Sequence, residues 1–409
     1  MKKLLTFVLI AAMFVMSLSV FAGCVARKDT LKILNWAEYI DDSLLEDFEE
    51  FIADTENGRK IRVAKAYEEA ETNEEMYTKI KTGQRDYDLI CPSDYMVEKM
   101  IKDDLLIKLN QSMLPNVAKT SPYVKSLYDQ FTDVKIEDYM VGYTWGTMGI
   151  LYNPARVKEA TGFNDAQVEE LVSSWNALWA KNMDGSAVAG LNGKITLKNS
   201  ERDNYFVGAT YLYGDASKAY RTDEVSKVGD ALRLQKTVAH SWEVDELRLD
   251  IIAPNKPVIM GLQWAGDAQY AIDCAAEEGI ELRYSVPDEG SNVFFDGWVI
   301  PKFAKQNGDL AEKFINFMCD PENAMQNASE IGYTSVIADK AAITEFFADE
   351  EGYDEVDLSY FFGEAAGTTV LNVSQVCYPE KSVLDNCFVM KDFGTAYQRV
   401  MDMWNTVKN

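Results

Sequence analysis

Histidine is almost missing from this chain: His240 stands alone among 409 residues. One histidine excludes a His-rich metal site and the His-Glu-x-x-His type of metalloenzyme. His240 sits in Thr237-Val238-Ala239-His240, with no Ser or Cys elbow nearby. No Gly-x-Gly-x-x-Gly run and no Walker-type loop is present to cradle phosphates. The cysteines form no Cys-x-x-Cys and no zinc-like spacing. Five follow Cys24, namely Cys91, Cys274, Cys319, Cys377 and Cys387. That odd number leaves at least one free thiol. Cys377 and Cys387 could pair, although buried small hydrophobes are the default for all five. No Pro/Ser-rich linker or low-complexity tract divides the chain. Beyond the N-terminus, no apolar run is long enough to span a bilayer.

What the chain has in excess is acid. Asp and Glu number 66 against 40 Lys and Arg, a formal charge of −26. Such a surface argues against nucleic acid and anionic lipid head groups as partners and is compatible with cationic solutes. With so many acids, carboxylate pairs capable of glycoside hydrolysis arise by chance. A surface glycan hydrolase therefore stays only as the rival reading, and no cofactor is expected. The N-terminus has its own character. Met1-Lys2-Lys3 is basic, Leu4 to Val20 is apolar, and Phe21-Ala22-Gly23-Cys24 closes the segment, as in a secretory signal covering residues 1–23. Ala22-Gly23-Cys24 resembles a bacterial lipoprotein box, in which Cys24 would be lipidated and become the first mature residue. Phe21 stands where that pattern usually has Leu, and ordinary cleavage nearby is the alternative. The expectation is an exported chain held at the outer face of a cytoplasmic membrane, periplasmic in a Gram-negative cell, and monomeric.

Strand and helix patterns alternate along the chain. Leu31-Lys32-Ile33-Leu34 reads as a strand delivering Asn35-Trp36-Ala37-Glu38-Tyr39. Asp41 or Asp42 then caps a helix with Leu44, Leu45, Phe48, Phe51 and Ile52 on one face, and Gly58 can end it. A strand is expected near Ile61-Val63. Thr72-Asn73-Glu74-Glu75 reads as a capping box, and Tyr87 to Cys91 as a strand ending in Pro92-Ser93-Asp94-Tyr95. Further on, a helix is expected from Ser174, a strand over Lys194–Leu197, and a buried strand over Val258–Trp264. This alternation argues for a parallel α/β sheet. Ligands in such sheets lie beyond the carboxyl ends of the strands. That rule places Trp36, Tyr39, Ser93, Asp94 and Tyr95 at one ligand-facing edge.

Phe294-Phe295-Asp296-Gly297-Trp298 sets one carboxylate among aromatic rings. An unpaired buried anion is costly, so the setting suits a carboxylate whose cationic partner arrives from outside. A solvated turn or a structural N-cap is the bland alternative. Trp36, Tyr39, Tyr95, Trp264, Asp267 and Phe294 stand at further expected strand ends. Rings can flank the methylene stem of a slender organic cation and attract its charge, each contact worth about 0.5–2 kcal/mol. Carboxylates would accept its ammonium groups in charge-assisted hydrogen bonds.

On these residues the chain resembles the spermidine/putrescine-binding proteins of bacterial ABC transporters. Leu34-Asn35-Trp36-Ala37-Glu38-Tyr39-Ile40 is similar to the family's opening signature. Glu75 to Ile80, Tyr87 to Ser93, Tyr143 to Thr147, Ser174 to Trp179, Phe314 to Met318 and Ile331-Gly332-Tyr333 resemble later blocks in the same order. Trp264-Ala265-Gly266-Asp267 and Phe294-Phe295-Asp296 are similar to the putrescine-type branch. The resemblance implies a two-lobed α/β fold of the periplasmic-binding-protein type (type II). Residues 30–143 and 296–341 would form one lobe, and 144–295 and 342–409 the other, joined by crossing strands at a hinge. It implies a polyamine ligand, delivery to ABC transporter permease subunits, and no enzymatic activity. A receptor for another organic cation or a cationic amino acid is the runner-up. Carried over by position, the ligand box is Trp36, Tyr39, Ser93, Tyr95, Trp264, Phe294, Asp296 and Tyr333. Glu38 falls at an acidic signature position and Asp267 at an acid of the putrescine-type branch. The family's acidic pair falls near Ser200 and Asp203, so Asp203 is the expected contact for the distal amine. Met390 stands near the place of a late glutamine of spermidine binders. Segments around 155–190 and 343–376 are longer than the family core.

Overall fold

The computed structural model describes residues 29–83, 86–244, 246–304, 308–348, 353–363 and 369–409. The signal segment and Cys24 lie outside the described residues.

The sheet order follows from where the apolar runs fall. β1 (Ile33–Trp36) is flanked in parallel by β2 (Tyr67–Ala70) and β3 (Leu89–Ile90). The long strand β4 (Met140–Tyr152) is buried at all 13 positions. A strand buried throughout must be covered on both faces. β5 (Ile195–Lys198), β6 (Ala239–Glu243), β7 (Met260–Trp264), β8 (Arg283–Ser285) and β9 (Ser291–Val299) complete the main body. The order is β2-β1-β3-β9-β4-β7-β5-β6, and β8 joins along β4. β10 (Thr334–Ser335) and β13 (Cys387–Phe388) attach to β4 and β9, while β11 (Asp354–Asp357) and β12 (Val370–Val373) form a separate ribbon. The β1–β3 and β5–β7 ends are parallel, and the β3–β9–β4–β7 centre is antiparallel.

Three hydrophobic clusters cover this sheet, the smallest gathered around Leu151, Leu247 and Ala271. The first runs from Leu31 to Trp145 and from Val293 to Val389. The second runs from Met148 to Leu262 and from Met390 to Val407. β4 passes from one to the other between Trp145 and Met148. The stretch after residue 342, expected in the second lobe, behaves differently: Ile343, Phe361, Tyr378 and Val389 are buried in the first cluster, and only Met390 onward joins the second. Aromatic packing explains this. Phe361 stacks on Trp145 at 5.7 Å and meets Tyr378 edge-on at 5.3 Å.

Local chemistry explains other differences from the sequence reading. The strand near Ile61 shrinks to one bridge between Thr30 and Arg62. Glu49 Oε1 accepts the N–H groups of Val63 at 2.6 Å and Ala64 at 3.1 Å, so these donors do not enter a ladder. Ser174 caps a five-residue 3-10 turn, Trp175–Trp179, rather than an α-helix; Ala180, left-handed at φ 50°, ends it. In the helix Asp42–Thr55, Asp41 is the N-cap, while Phe51 is 43% exposed and leaves the buried stripe of Leu44, Leu45, Phe48 and Ile52. Thr72 caps the helix Asn73–Thr82 by accepting from Glu75 N–H, but Glu75 reaches back to Glu71 N–H instead of closing the box. All five cysteines from Cys91 onward are free thiols, Cys377 and Cys387 included. His240 is exposed on β6. Among the described residues no helix is long and apolar enough to cross a membrane.

Candidate ligand-binding cleft

β1 ends at Trp36, and the chain turns there through Glu38, which holds a left-handed φ of 52°. That conformation is uncommon for a residue with a side chain and lets Tyr39 fold back beneath the strand end. Tyr39 is fixed from several sides. Its carbonyl accepts from Asn35 Nδ2 at 3.2 Å and from the Tyr143 hydroxyl at 2.8 Å. Its hydroxyl donates to Asp296 Oδ2 at 2.7 Å. The 2.5 Å contact with Thr144 Oγ1 is therefore donated by the threonine, since a phenol has one proton.

Asp296 lies in mid-β9, paired in register with Thr144 on β4 and bridged to Ser93. It is 6% exposed, and its Oδ1 finds no hydrogen-bond partner among the described residues. Burial pushes its carboxyl up to about 6, against the relief offered by the Ser93 and Tyr39 hydroxyls. Asp94, the first residue of the helix Asp94–Lys102, is also buried. Its Oδ1 accepts from Tyr95 N–H at 2.6 Å and its Oδ2 is unpartnered. Burial raises its carboxyl well above the usual range, the Tyr95 N–H lowers it, and the Asp296 charge raises it further. Asn73 ties this corner together, donating to Ser93 Oγ at 3.0 Å and the Tyr95 hydroxyl at 2.8 Å.

The opposite wall comes from β5 and β7. Ser200 caps the helix Glu201–Tyr213 by accepting from Asp203 N–H, which accounts for its role without a ligand. Asp203 is buried with Oδ2 unpartnered. Burial pushes its carboxyl up to about 6, and the Lys198 charge is the leading opposing influence. Trp264 and Asp267 lie at the junction of β7 with the helix Ala265–Glu277. Asp267 accepts from the Tyr333 hydroxyl at 3.1 Å and is ion-paired to Lys198 at 3.1 Å.

Tyr333 joins the walls. Its ring meets Tyr39 edge-on at 4.8 Å and Phe294 at 6.4 Å, and it lies where a Cβ on Gly266 would stand, 2.2 Å from the nearest ring carbon. Two further contacts cross between the clusters. Arg202 sets its guanidinium 3.7 Å from the centre of the Tyr95 ring, and Arg248 pairs with Glu38.

Of the residues singled out from the sequence, Tyr39, Ser93, Asp94, Tyr95, Asp203, Trp264, Asp267, Phe294, Asp296 and Tyr333 fall into this one network. Trp36 borders it, half-buried, with its indole N–H unpartnered among the described residues. Glu38 sits on the rim, 72% exposed, its carboxylate engaged by Arg248. Met390 lines a cavity of about 10 Å³ beside Arg202. A groove of about 410 Å³, lined by Asp42, Glu46, Tyr67, Glu68 and Glu69 among others, contains none of these residues. Convergent unpartnered polar atoms, rather than open volume, mark the site. Sequence reasoning missed Thr144, Asn73 and above all Lys198. A basic residue ending an apolar strand at the ligand-facing edge was the available signal for Lys198. No group of three or more His, Cys, Asp or Glu among the described residues is placed to hold a metal ion.

Comparison with known proteins agrees with this architecture. A putrescine-binding periplasmic protein of Escherichia coli is 26% identical over 345 residues, covering 83% of this chain and 85% of the relative. A spermidine/putrescine-binding periplasmic protein of Salmonella typhimurium is 29% identical over 319 residues, 78% of this chain and 80% of the relative. The solved spermidine/putrescine ABC transporter substrate-binding protein of Streptococcus pneumoniae superposes with a TM-score of 0.66 at 28% identity, over 93% of this chain and 98% of that one. The fold is that of the periplasmic binding proteins, a mixed sheet flanked by helices. The family model for bacterial extracellular solute-binding proteins matches residues 43–353, and the chain belongs to that family.

Proposed function

We propose that this chain is a non-enzymatic receptor that captures a polyamine, putrescine or spermidine, between two closing lobes and delivers it to the permease of an ABC transporter. The lobes of this reading are the two larger hydrophobic clusters, hinged where β4 runs between them. The observation that carries it is Asp296: a buried carboxylate with one oxygen held by Tyr39 and the other unpartnered, walled by Tyr39, Phe294 and Tyr333. A ligand ammonium meets that oxygen in a charge-assisted bond, and the rings take its methylene stem. Trp36, Ser93, Asp94, Tyr95, Asp203, Trp264 and Asp267 form the remaining contacts or their supports. Glu38 acts from the rim. The relatives named above support the ligand class, and the family supports binding rather than catalysis. The receptor works as a monomer tethered through a lipid on Cys24.

Calorimetric titration tests the reading. Removing one side of a buried hydrogen-bonded charge pair costs about 2–5 kcal/mol. Asp296→Asn should therefore weaken putrescine or spermidine binding at least about 30-fold, while Glu50→Ala, on the exposed face of its helix, should leave it unchanged. Equal effects from the two variants would remove Asp296 from the site. A thermal-shift panel with both polyamines, cationic amino acids and simple sugars checks the ligand class, and a shift only with a non-polyamine would overturn it. Cys24→Ala should release the chain from the membrane fraction if the anchor is there.

A further inference from the structure

Among the described residues Lys198 is the one buried lysine, 2% exposed at the end of β5. Its ammonium lies 3.7 Å from the centre of the Trp264 ring, 3.1 Å from Asp267 Oδ2 and 2.6 Å from the Val244 carbonyl oxygen. A carboxylate, a carbonyl and an indole face are the partners that a ligand ammonium would seek. The chain supplies that ammonium itself.

Resting on the polyamine reading, we propose that Lys198 is a specificity-determining residue: its ammonium permanently fills the Trp264–Asp267 subsite, so the cleft takes a short diamine and rejects a triamine. Among the described residues Asp94, Asp203, Asp267 and Asp296 are buried in this network, and Asp267 is the one that is ion-paired, to Lys198. Lys198 also acts on Asp203, where its charge is the strongest influence opposing burial. Both acids on the β5–β7 wall are therefore already served by one side chain. The recognition of the ligand's charge shifts towards Asp296 and Asp94, the acids without a resident cation in direct contact in the described structure.

The test is calorimetric titration of the full chain with putrescine and spermidine. The wild type should bind putrescine more tightly than spermidine. Lys198→Met leaves Asp267 without its cation and opens the subsite, and should improve spermidine relative to putrescine by roughly tenfold or more. The double change Lys198→Met with Asp267→Asn removes the carboxylate that a third ammonium would meet and should return the preference to putrescine; a cooperative melt checks that each variant is folded. Wild-type binding of spermidine as tight as that of putrescine overturns the proposal without any variant. A parallel change of both affinities in Lys198→Met also overturns it, and leaves the polyamine reading standing as long as Asp296→Asn still weakens binding about 30-fold or more. If the wild type and Lys198→Met bind neither amine, both readings fall together.

Discussion

Ligand affinity should depend steeply on pH in a range where most carboxylates no longer titrate. Asp296 and Asp203 both have carboxyls pushed up to about 6 by burial. A cationic ligand binds the ionised form, so lowering the pH forces it to displace protons. At about pH 5 protonation of Asp296 reduces apparent affinity by about 11-fold relative to its fully ionised form. The direction for the unliganded protein is the reverse. A carboxyl raised in the folded state contributes stability that is complete below its ordinary value near 4 and is lost as pH rises through 6. The size of that contribution is about 3 kcal/mol per group as an upper bound. The melting temperature of the free protein should therefore fall between about pH 5 and pH 7 from this source, while the ligand-induced shift grows over the same interval. Because 66 acidic residues also discharge in acid, the decisive comparison is with Asp296→Asn, which cannot titrate at that position. The variant should lose part of the slope in both measurements. Titrations in buffers of different ionisation enthalpy should reveal proton release on binding near pH 6. An affinity flat from pH 5 to pH 8, with no proton release, would refute the assignment of Asp296 to the ligand.

Two further perturbations probe closure. Gly266→Ala places a methyl 2.2–2.4 Å from Tyr333 ring carbons; such overpacking costs about 1–3 kcal/mol, so ligand affinity should fall about 5- to 150-fold and small-angle scattering with ligand should report a larger radius of gyration. An unchanged affinity would mean that Tyr333 need not seat against Gly266. Glu38→Gln removes the rim ion pair with Arg248, which is 22% exposed on one side and 72% on the other; pairs this exposed are weak and screened by salt. Ligand dissociation should quicken about two- to fivefold at low salt and not at high salt, and stopped-flow dissociation that ignores the substitution at all salt concentrations would remove the latch.

Sequence alone determined the class of the fold and most of the first wall. Alternating apolar runs place β1 and β3 side by side, and the carboxyl-end rule then brings Trp36, Tyr39 and Ser93 to Tyr95 to one edge. These are short-range consequences of strand period, caps and chain direction. The aromatic setting of Asp296 was equally legible, because an anion between Phe295 and Trp298 raises its question in one dimension. Only the tertiary structure decided which charges are already neutralised. Lys198 and Asp267 are 69 residues apart, and Glu38 and Arg248 are 210 apart, so no spacing rule links them. The same is true of the chain after residue 342, whose aromatic side chains chose the Trp145 side of the sheet. Residue type sets what a side chain can bind. Whether that capacity is left for a ligand depends on the neighbours that folding brings within 4 Å, and at Asp267 the neighbour is the chain's own ammonium.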